Sequence, residues 1–373
     1  MKAGWQVKTL GEVIQLPYGK PLAPNDRNPN GLYPAYGANG EKDRTDKFYR
    51  DSPSIIVGRK GSAGEITLTE DRFWPLDVTY FVEFDHRQYD LQFLYHLLVT
   101  LNLPSMAKGV KPGINRSEVY ALPVMVPPLP EQQRIVSLLD EAFDGIATAK
   151  AHAEMNLQNA RAIFESHLQS VFSQRGEGWQ DKTLEQISMD FGRGKSRHRP
   201  RNEPKLYGGK YPFIQTGDIR NAGHFITEYS QTYSDLGLAQ SKLWPKGTIC
   251  ITIAANIAET GILGFDACFP DSVIGVVPNP AEAEVGFVEY LLQSFKVRIQ
   301  ALGQGSAQAN INMGTFDNER FPFPVVEEQR RIVTKLDDLS EETQRLEFIY
   351  QQKLTALDEL KKSLLHRAFN CDL

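Results

Sequence analysis

The chain has 373 residues, with 41 Lys and Arg against 46 Asp and Glu and a formal net charge of −5. That length accommodates two or three domains, each with a core of its own, and the three cysteines, Cys250, Cys268 and Cys371, show neither metal-ligand nor paired spacing. No signal peptide and no apolar run of spanning length is visible, which predicts a cytoplasmic protein with no membrane partner.

The chain opens on Gly4-Trp5-Gln6-Val7-Lys8-Thr9-Leu10. Aliphatic and aromatic runs predict strands over 54–57, 66–68 and 78–84, and a helix over 91–101. Pro127, Pro128 and Pro130 mark the start of a long helix. In it Ile135, Leu139, Ala142, Ile146, Ala149, Ala153, Leu157, Ala160, Phe164, Leu168 and Val171 recur every three or four residues, the spacing of a coiled-coil seam. The opening segment then returns as Gly178-Trp179-Gln180-Asp181-Lys182-Thr183-Leu184. Strands are predicted over 248–253, 262–263 and 273–277, and a helix over 285–302. Pro322 and Pro324 precede a second long seam, carried by Ile332, Leu336, Leu339, Thr343, Leu346, Tyr350, Leu354, Leu357, Lys361, Leu365 and Ala368.

The chain is therefore built twice. Glu131-Gln132-Gln133-Arg134-Ile135-Val136 recurs as Glu328-Gln329-Arg330-Arg331-Ile332-Val333, and this match runs without a gap through both seams. Elsewhere the halves agree loosely, Tyr33-Pro34 with Tyr211-Pro212, Gly64 with Gly261, Pro75 with Pro270 and Ile114-Asn115 with Ile311-Asn312. The expected fold is α+β, with mixed α/β domains over 1–128 and 173–326 and long helices over 129–172 and 327–373. Helices of that length reach roughly 60 Å at about 1.5 Å per residue, and an apolar stripe so long needs a partner. An antiparallel coiled coil with an approximate two-fold is expected, because the first helix must lead directly into the second domain. The helices read as a spacer at least as readily as anything chemical; two-fold related readers held at a fixed separation address paired half-sites on DNA.

Neither globular segment is basic overall: residues 1–130 carry 15 cations against 14 anions and residues 173–327 carry 15 against 17. Positive charge is instead local. Arg193, Lys195, Arg197, Arg199 and Arg201, with Glu203 as the opposing charge in the run, suit a phosphate backbone; a solvated loop or a contact to an acidic partner are the alternatives. Sparser counterparts in the first half are Lys20, Arg27, Arg59, Lys60, Lys108, Lys111 and Arg116. Two polar, Gly-rich loops at 108–115 and 303–310 offer Asn115, Gln304, Ser306, Gln308 and Asn310, and Asn or Gln can pair with adenine as Arg or Lys pairs with guanine; plain surface turns explain such loops equally. No catalytic residue is nominated. Gly192-Arg193-Gly194-Lys195-Ser196 lacks the first glycine of a P-loop, Met189 standing there. Pro270-Asp271 starts no nuclease cluster, the seven histidines form no zinc set, and no Asn-Pro-Pro-aromatic or Asp-Pro-Pro-aromatic run holds an adenine for methylation.

Leu122-Pro123, the run from Pro127 to Val136, its copy from Glu328 to Val333, and Ile56-Val57-Gly58-Arg59-Lys60-Gly61-Ser62-Ala63-Gly64 together resemble the specificity (S) subunits of type I restriction-modification enzymes, over the whole chain. The resemblance implies a non-catalytic subunit whose two globular parts are target recognition domains, each reading one half of a bipartite, asymmetric site in double-stranded DNA, with antiparallel helices fixing the unread spacer. It further implies methyltransferase (M) subunits that use S-adenosylmethionine and restriction (R) subunits that use ATP with magnesium, and no cofactor or metal in this chain. The second half departs from the pattern, Ile253-Ala254-Ala255-Asn256-Ile257-Ala258-Glu259-Thr260-Gly261 standing where the Gly-Arg-Lys-Gly run is expected. A two-site protein adapter that does not read DNA is the competing reading.

Overall fold

The computed structural model describes residues 4–69, 72–198, 200–254, 256–302 and 311–370. Arg199, Gln304, Ser306, Gln308, Asn310 and Cys371 lie outside them. The chain divides into two compact units, Met1–Glu154 with Gln351–Leu373, and Met155–Tyr350.

In the first unit β1 (Gln6–Thr9) runs into a one-turn α1 (Leu10–Val13), whose start is fixed by Glu12 accepting from the Thr9 amide and hydroxyl at 2.6 and 2.7 Å. A hairpin of β2 (Tyr33–Gly37) and β3 (Gly40–Thr45) follows. Then β4 (Ile55–Gly58) takes the centre of a sheet between β5 (Ile66–Leu68) and, beyond the short β6 (Trp74–Pro75), β7 (Thr79–Phe81). The helix α2 (Leu91–Thr100) is capped by Asp90, whose carboxylate accepts from the Phe93 amide at 2.9 Å. It buries Phe93, Leu94, Leu97 and Leu98 against Ile55 and Val57 of the sheet. The short α3 (Arg116–Tyr120) leads to β8 (Pro123–Val126), which returns antiparallel to β1 with Gln6 opposite Val126, and the chain enters α4 (Leu129–Ser173).

The second unit repeats this plan with additions. It comprises β9 (Gln180–Lys182), β10 (Ser188–Arg193), β11 (Tyr207–Phe213), α5 (Thr216–Asn221), β12 (Phe225–Ile226), β13 (Gln231–Tyr233), α6 (Asp235–Ala239), β14 (Ile249–Thr252), β15 (Thr260–Leu263), β16 (Val273–Pro278), α7 (Val285–Ser294), α8 (Lys296–Leu302), α9 (Met313–Asp317), β17 (Phe321–Phe323) and, as far as Tyr350, α10 (Val326–Phe369), whose remainder belongs to the first unit. Its main sheet has the order β10-β16-β14-β15-β12, with β12 parallel to β15 and the other pairs antiparallel. The single helix expected over 285–302 is two, divided at Phe295, which leaves the helical run to pack on Phe321 at 5.5 Å between ring centres. β17 and β9 close the unit as β8 and β1 close the first, Phe323 lying opposite Gln180.

Equivalent central elements are offset by 194 residues, β4 against β14 and α2 against α7, and the offset becomes 197 by Ile114 and Ile311. The register corrects two of the loose pairings: Gly64 corresponds to Ala258 and Pro75 to Phe269. The extra three residues fall in the stretch that contains the second Gly-rich loop, between Ser294 and Ile311.

The long helices are continuous, 45 and 44 residues. In the first unit Lys150 of α4 pairs with Asp358 of α10 at 2.8 Å; in the second Arg161 of α4 pairs with Glu347 of α10 at 2.9 Å. Within the first unit Lys361 of α10 also stands over Phe143 of α4, and within the second Leu336 of α10 packs with Leu168 and Phe172 of α4. In each unit α10 therefore recedes as α4 advances and the packing is antiparallel, over the buried seam residues Ile135, Leu139, Ile146 and Ala153 in one and Ala160, Leu168 and Leu336 in the other. The Gln of the repeated Glu-Gln-x-Arg run explains why that run is repeated. Gln132, fully buried, donates to the carbonyls of Pro127 and Gln88 at 2.9 Å and accepts from the Asp90 amide at 2.9 Å. Gln329, equally buried, donates to Pro324 and Glu282 at 2.8 and 3.1 Å and accepts from the Glu284 amide at 2.8 Å. Each amide thus ties the first turn of a long helix to the N-cap of a helix in the globular part, α2 or α7, satisfying three backbone groups that burial would otherwise leave unpaired.

Candidate nucleic-acid interface

In the first unit the 108–115 loop and the segment that follows β4, from Arg59 to Gly64, are zipped together. Lys108 and Gly113 exchange backbone hydrogen bonds at 2.9 and 3.1 Å, the Gly61 amide donates to Pro112 and the Ile114 amide donates to Arg59. Gly64, at φ +87, closes the β4 loop where a side chain would meet the backbone of Leu103 and Pro104 at 2.3–2.4 Å. Ala258, its counterpart, keeps the left-handed backbone at φ +62, and the Ile311 amide donates to Ile253 as that of Ile114 does to Arg59. The closure of the loop after the central strand and the amide bond made to it are therefore shared, while Arg59 and Lys60 are replaced by Ile253 and Ala254.

Around the first loop pair the structure assembles a cation–aromatic cluster. Half-exposed Tyr18 lies under both Arg59, 5.3 Å from its ring centre, and Arg116, at 4.9 Å. Arg59 donates Nη2 to the Asp77 carbonyl at 2.7 Å and Arg116 donates Nη1 to the Leu16 carbonyl at 3.2 Å, and among the described residues neither is paired with a carboxylate. Burial pushes the hydroxyl of Tyr80, 5.1 Å from Tyr18 between ring centres, above the ordinary tyrosine range, and the neighbouring Tyr18 adds to that. Lys60 and Lys111 are exposed beside this cluster, with no ion pair among the described residues. The other sequence candidates are engaged differently. Lys108 is paired with Glu118 at 2.9 Å, Arg27 with Asp43 at 3.0 Å, Lys20 stands over Tyr49 at 4.6 Å, and Asn115 caps α3 by accepting from the Ser117 amide. Tyr18 carries no motif, and only the fold brings it under two arginines distant in sequence.

In the second unit the basic run is divided in two by one acid that the sequence places far away. Arg193 donates Nε at 2.8 Å, and also Nη2, to the Asp271 carbonyl, and Arg201 pairs with the Asp271 carboxylate at 2.8 and 2.9 Å. Lys195 and Arg197 remain exposed without an ion pair among the described residues. The run is thus not a uniformly free basic loop, because Asp271 reaches it from the turn before β16. Beside Arg201 opens a polar hollow of about 320 Å³, lined by Asn202, Gln215, Thr216, Gln231 and Ser272 with Tyr207 and Phe213 as walls. Its amides are donors and acceptors that the sequence reading sought in the 303–310 loop instead. Among the described residues no group of three or more His, Cys, Asp or Glu could hold a metal ion, and no helix is long and apolar enough to cross a membrane.

The family model described as the type I restriction modification DNA specificity domain matches residues 2–155 and again 176–355. A Haemophilus influenzae protein provisionally named as a type I restriction enzyme specificity subunit is 23% identical over 328 residues, covering 83% of this chain and 80% of that one. Among solved structures, a chain of a type I R-M system, from a study of its complex assembly and conformational transition, superposes with a TM-score of 0.79 at 20% identity, covering 100% of this chain and 99% of the other. The HsdS subunit from Thermoanaerobacter tengcongensis superposes at 0.67, again at 20% identity, covering 100% and 98%. At such identities the superpositions show a shared fold.

Proposed function

Since the chain belongs to the type I restriction modification DNA specificity family, we propose that each unit reads one half of a bipartite DNA target, and that the chain recruits methyltransferase and restriction subunits to it. The observation that supports this most directly is one frame carrying two unlike surfaces: the Gln132 and Gln329 ties are the same, while a Tyr-supported arginine cluster faces out of one unit and an Asp271-centred one out of the other. Guanidinium groups without a carboxylate partner among the described residues, Arg59 and Arg116 in one unit and Arg197 in the other, are what phosphates and guanine edges require. In this reading the chain itself catalyses nothing. Methylation of an adenine in each half-site uses S-adenosylmethionine on the M subunits, and cleavage uses ATP and magnesium on the R subunits.

Mapping methylated adenines in cells with and without this gene tests the proposal. The expected result is one two-part sequence that loses methylation when the gene is deleted; an unchanged map in cells that express the chain overturns it. Exchanging residues 1–128 for the same region of a relative alters one half of that sequence and leaves the other.

A further inference from the structure

Both units hang an arginine from the same point of the fold by different routes. Asp77 and Asp271 are equivalent, each just ahead of its strand, β7 or β16. The positions that flank their carbonyls exchange roles between the units. The Gly19 amide donates to Thr79 as the Gly194 amide donates to Val273, so Tyr18 corresponds to Arg193; Arg59 corresponds to Ile253. In the first unit the arginine therefore comes from the β4 loop and rests on the Asp77 carbonyl. In the second it comes from the end of β10 and rests on the Asp271 carbonyl.

We propose that these carbonyls are fixed rests that present arginines to guanine, making Arg59 a base-reading residue of one half-site and Arg193, with Arg201 beside it, base-reading residues of the other. This rests on the DNA-reading function proposed above. Reading guanine by its O6 and N7 needs a guanidinium whose plane is set in advance and which keeps a free edge. A backbone carbonyl sets the plane without cancelling the charge. Arg193 uses Nε and Nη2 on its rest and keeps Nη1 and its outer edge, and Arg59 is steadied further by the Tyr18 ring. Arg201 is held by the Asp271 carboxylate at Nη2, the nitrogen common to both edges of its guanidinium, so it offers a base a single donor, Nε or Nη1, beside the free edge of Arg193. Phosphate contacts require no such fixing, and Lys60, Lys111, Lys195 and Arg197, which have none, are the backbone-binding residues of the same surfaces.

Selection of bound sequences from a random duplex pool, with the full chain assembled with its methyltransferase subunits, tests the assignment. Arg59→Lys, Arg193→Lys and Arg201→Lys keep the charge and lose the fork. Each is expected to relax a G·C preference by about tenfold at one or two positions of a single half-site, Arg59 in one half and the other two in the second. Asp271→Asn keeps the carbonyl and shifts only the Arg201 position. Arg197→Ala returns the wild-type sequence with affinity lowered evenly and the salt slope reduced by about 0.9. Lysine variants that select the unaltered sequence overturn the assignment while leaving the DNA-reading function standing; a wild-type complex that selects no sequence overturns both.

Discussion

Gln132 and Gln329 make the same three hydrogen bonds in their two units, whereas Arg59 and its counterpart Ile253 share only the carbonyl to which an amide from the next loop donates. The difference teaches which contacts hold the chain together and which are free to vary. A buried amide tying helix to helix has few substitutes, since any replacement leaves three backbone groups without partners. A side chain above an already closed loop has many, because the loop is fixed by its backbone.

The largest effect is expected where the units agree. Gln132→Ala and Gln329→Ala should each lower stability by about 3 kcal/mol, by equal amounts, in urea titrations of the full chain. A loss in one half and none in the other would show that the two ties are not equivalent.

A smaller effect is expected where the core itself differs. Tyr290 in the second unit donates its hydroxyl to Asp337 at 2.7 Å. Its counterpart His96 lies buried near Asp140, the counterpart of Asp337, with its Nε2 unpaired. Burial holds the His96 pKa below its ordinary 6.5, the Asp140 charge opposing that only in part. The unfolded chain therefore takes up the proton first, and stability contributed at neutral pH is lost as pH falls below about 6.5 toward the lowered folded value. His96→Tyr should stabilise the chain by about 1 kcal/mol at pH 7 and by more at pH 5.5. Unfolding curves of equal pH dependence for the variant and the wild type would sink this account.

The smallest effect concerns the ion pairs between the long helices. Lys150 holds the Asp358 carboxyl below the ordinary range, and their exposure limits what that is worth. Double-mutant cycles on Lys150–Asp358 and Arg161–Glu347 should each return a small coupling that salt weakens. A larger value in one unit would mark a helix pairing specified by charge on that side.

Most of the frame could be read from the sequence because it repeats and because its periodicities are strong. The first seam, the strands around Ile55 and Ile249 and the helix at Leu91 are where the pattern puts them, and so is the second seam except at Leu346 and Lys361, which are exposed. The β2–β3 hairpin escaped because Glu41, Lys42, Asp43 and Arg44 leave β3 without apolar alternation. The break at Phe295, whose ring packs on Phe321, escaped because neither glycine nor proline marks it. Charged candidates were legible as residue types and not as partners. Asp271 was visible only as a failed nuclease motif, and no spacing rule links it to Arg193 and Arg201, or Tyr18 to Arg59 and Arg116. Such pairings come from strand register, which places residues distant in sequence side by side.

The strand that opens each recognition domain lies against the strand that closes it, β1 on β8 and β9 on β17. The two ends of each domain are thus neighbours, about 5 Å apart between paired backbones. A stretch of chain whose ends meet can be removed and another put in its place without redirecting what comes before or after. New target sequences can then arise by genetic exchange at two junctions, with the helical frame inherited intact.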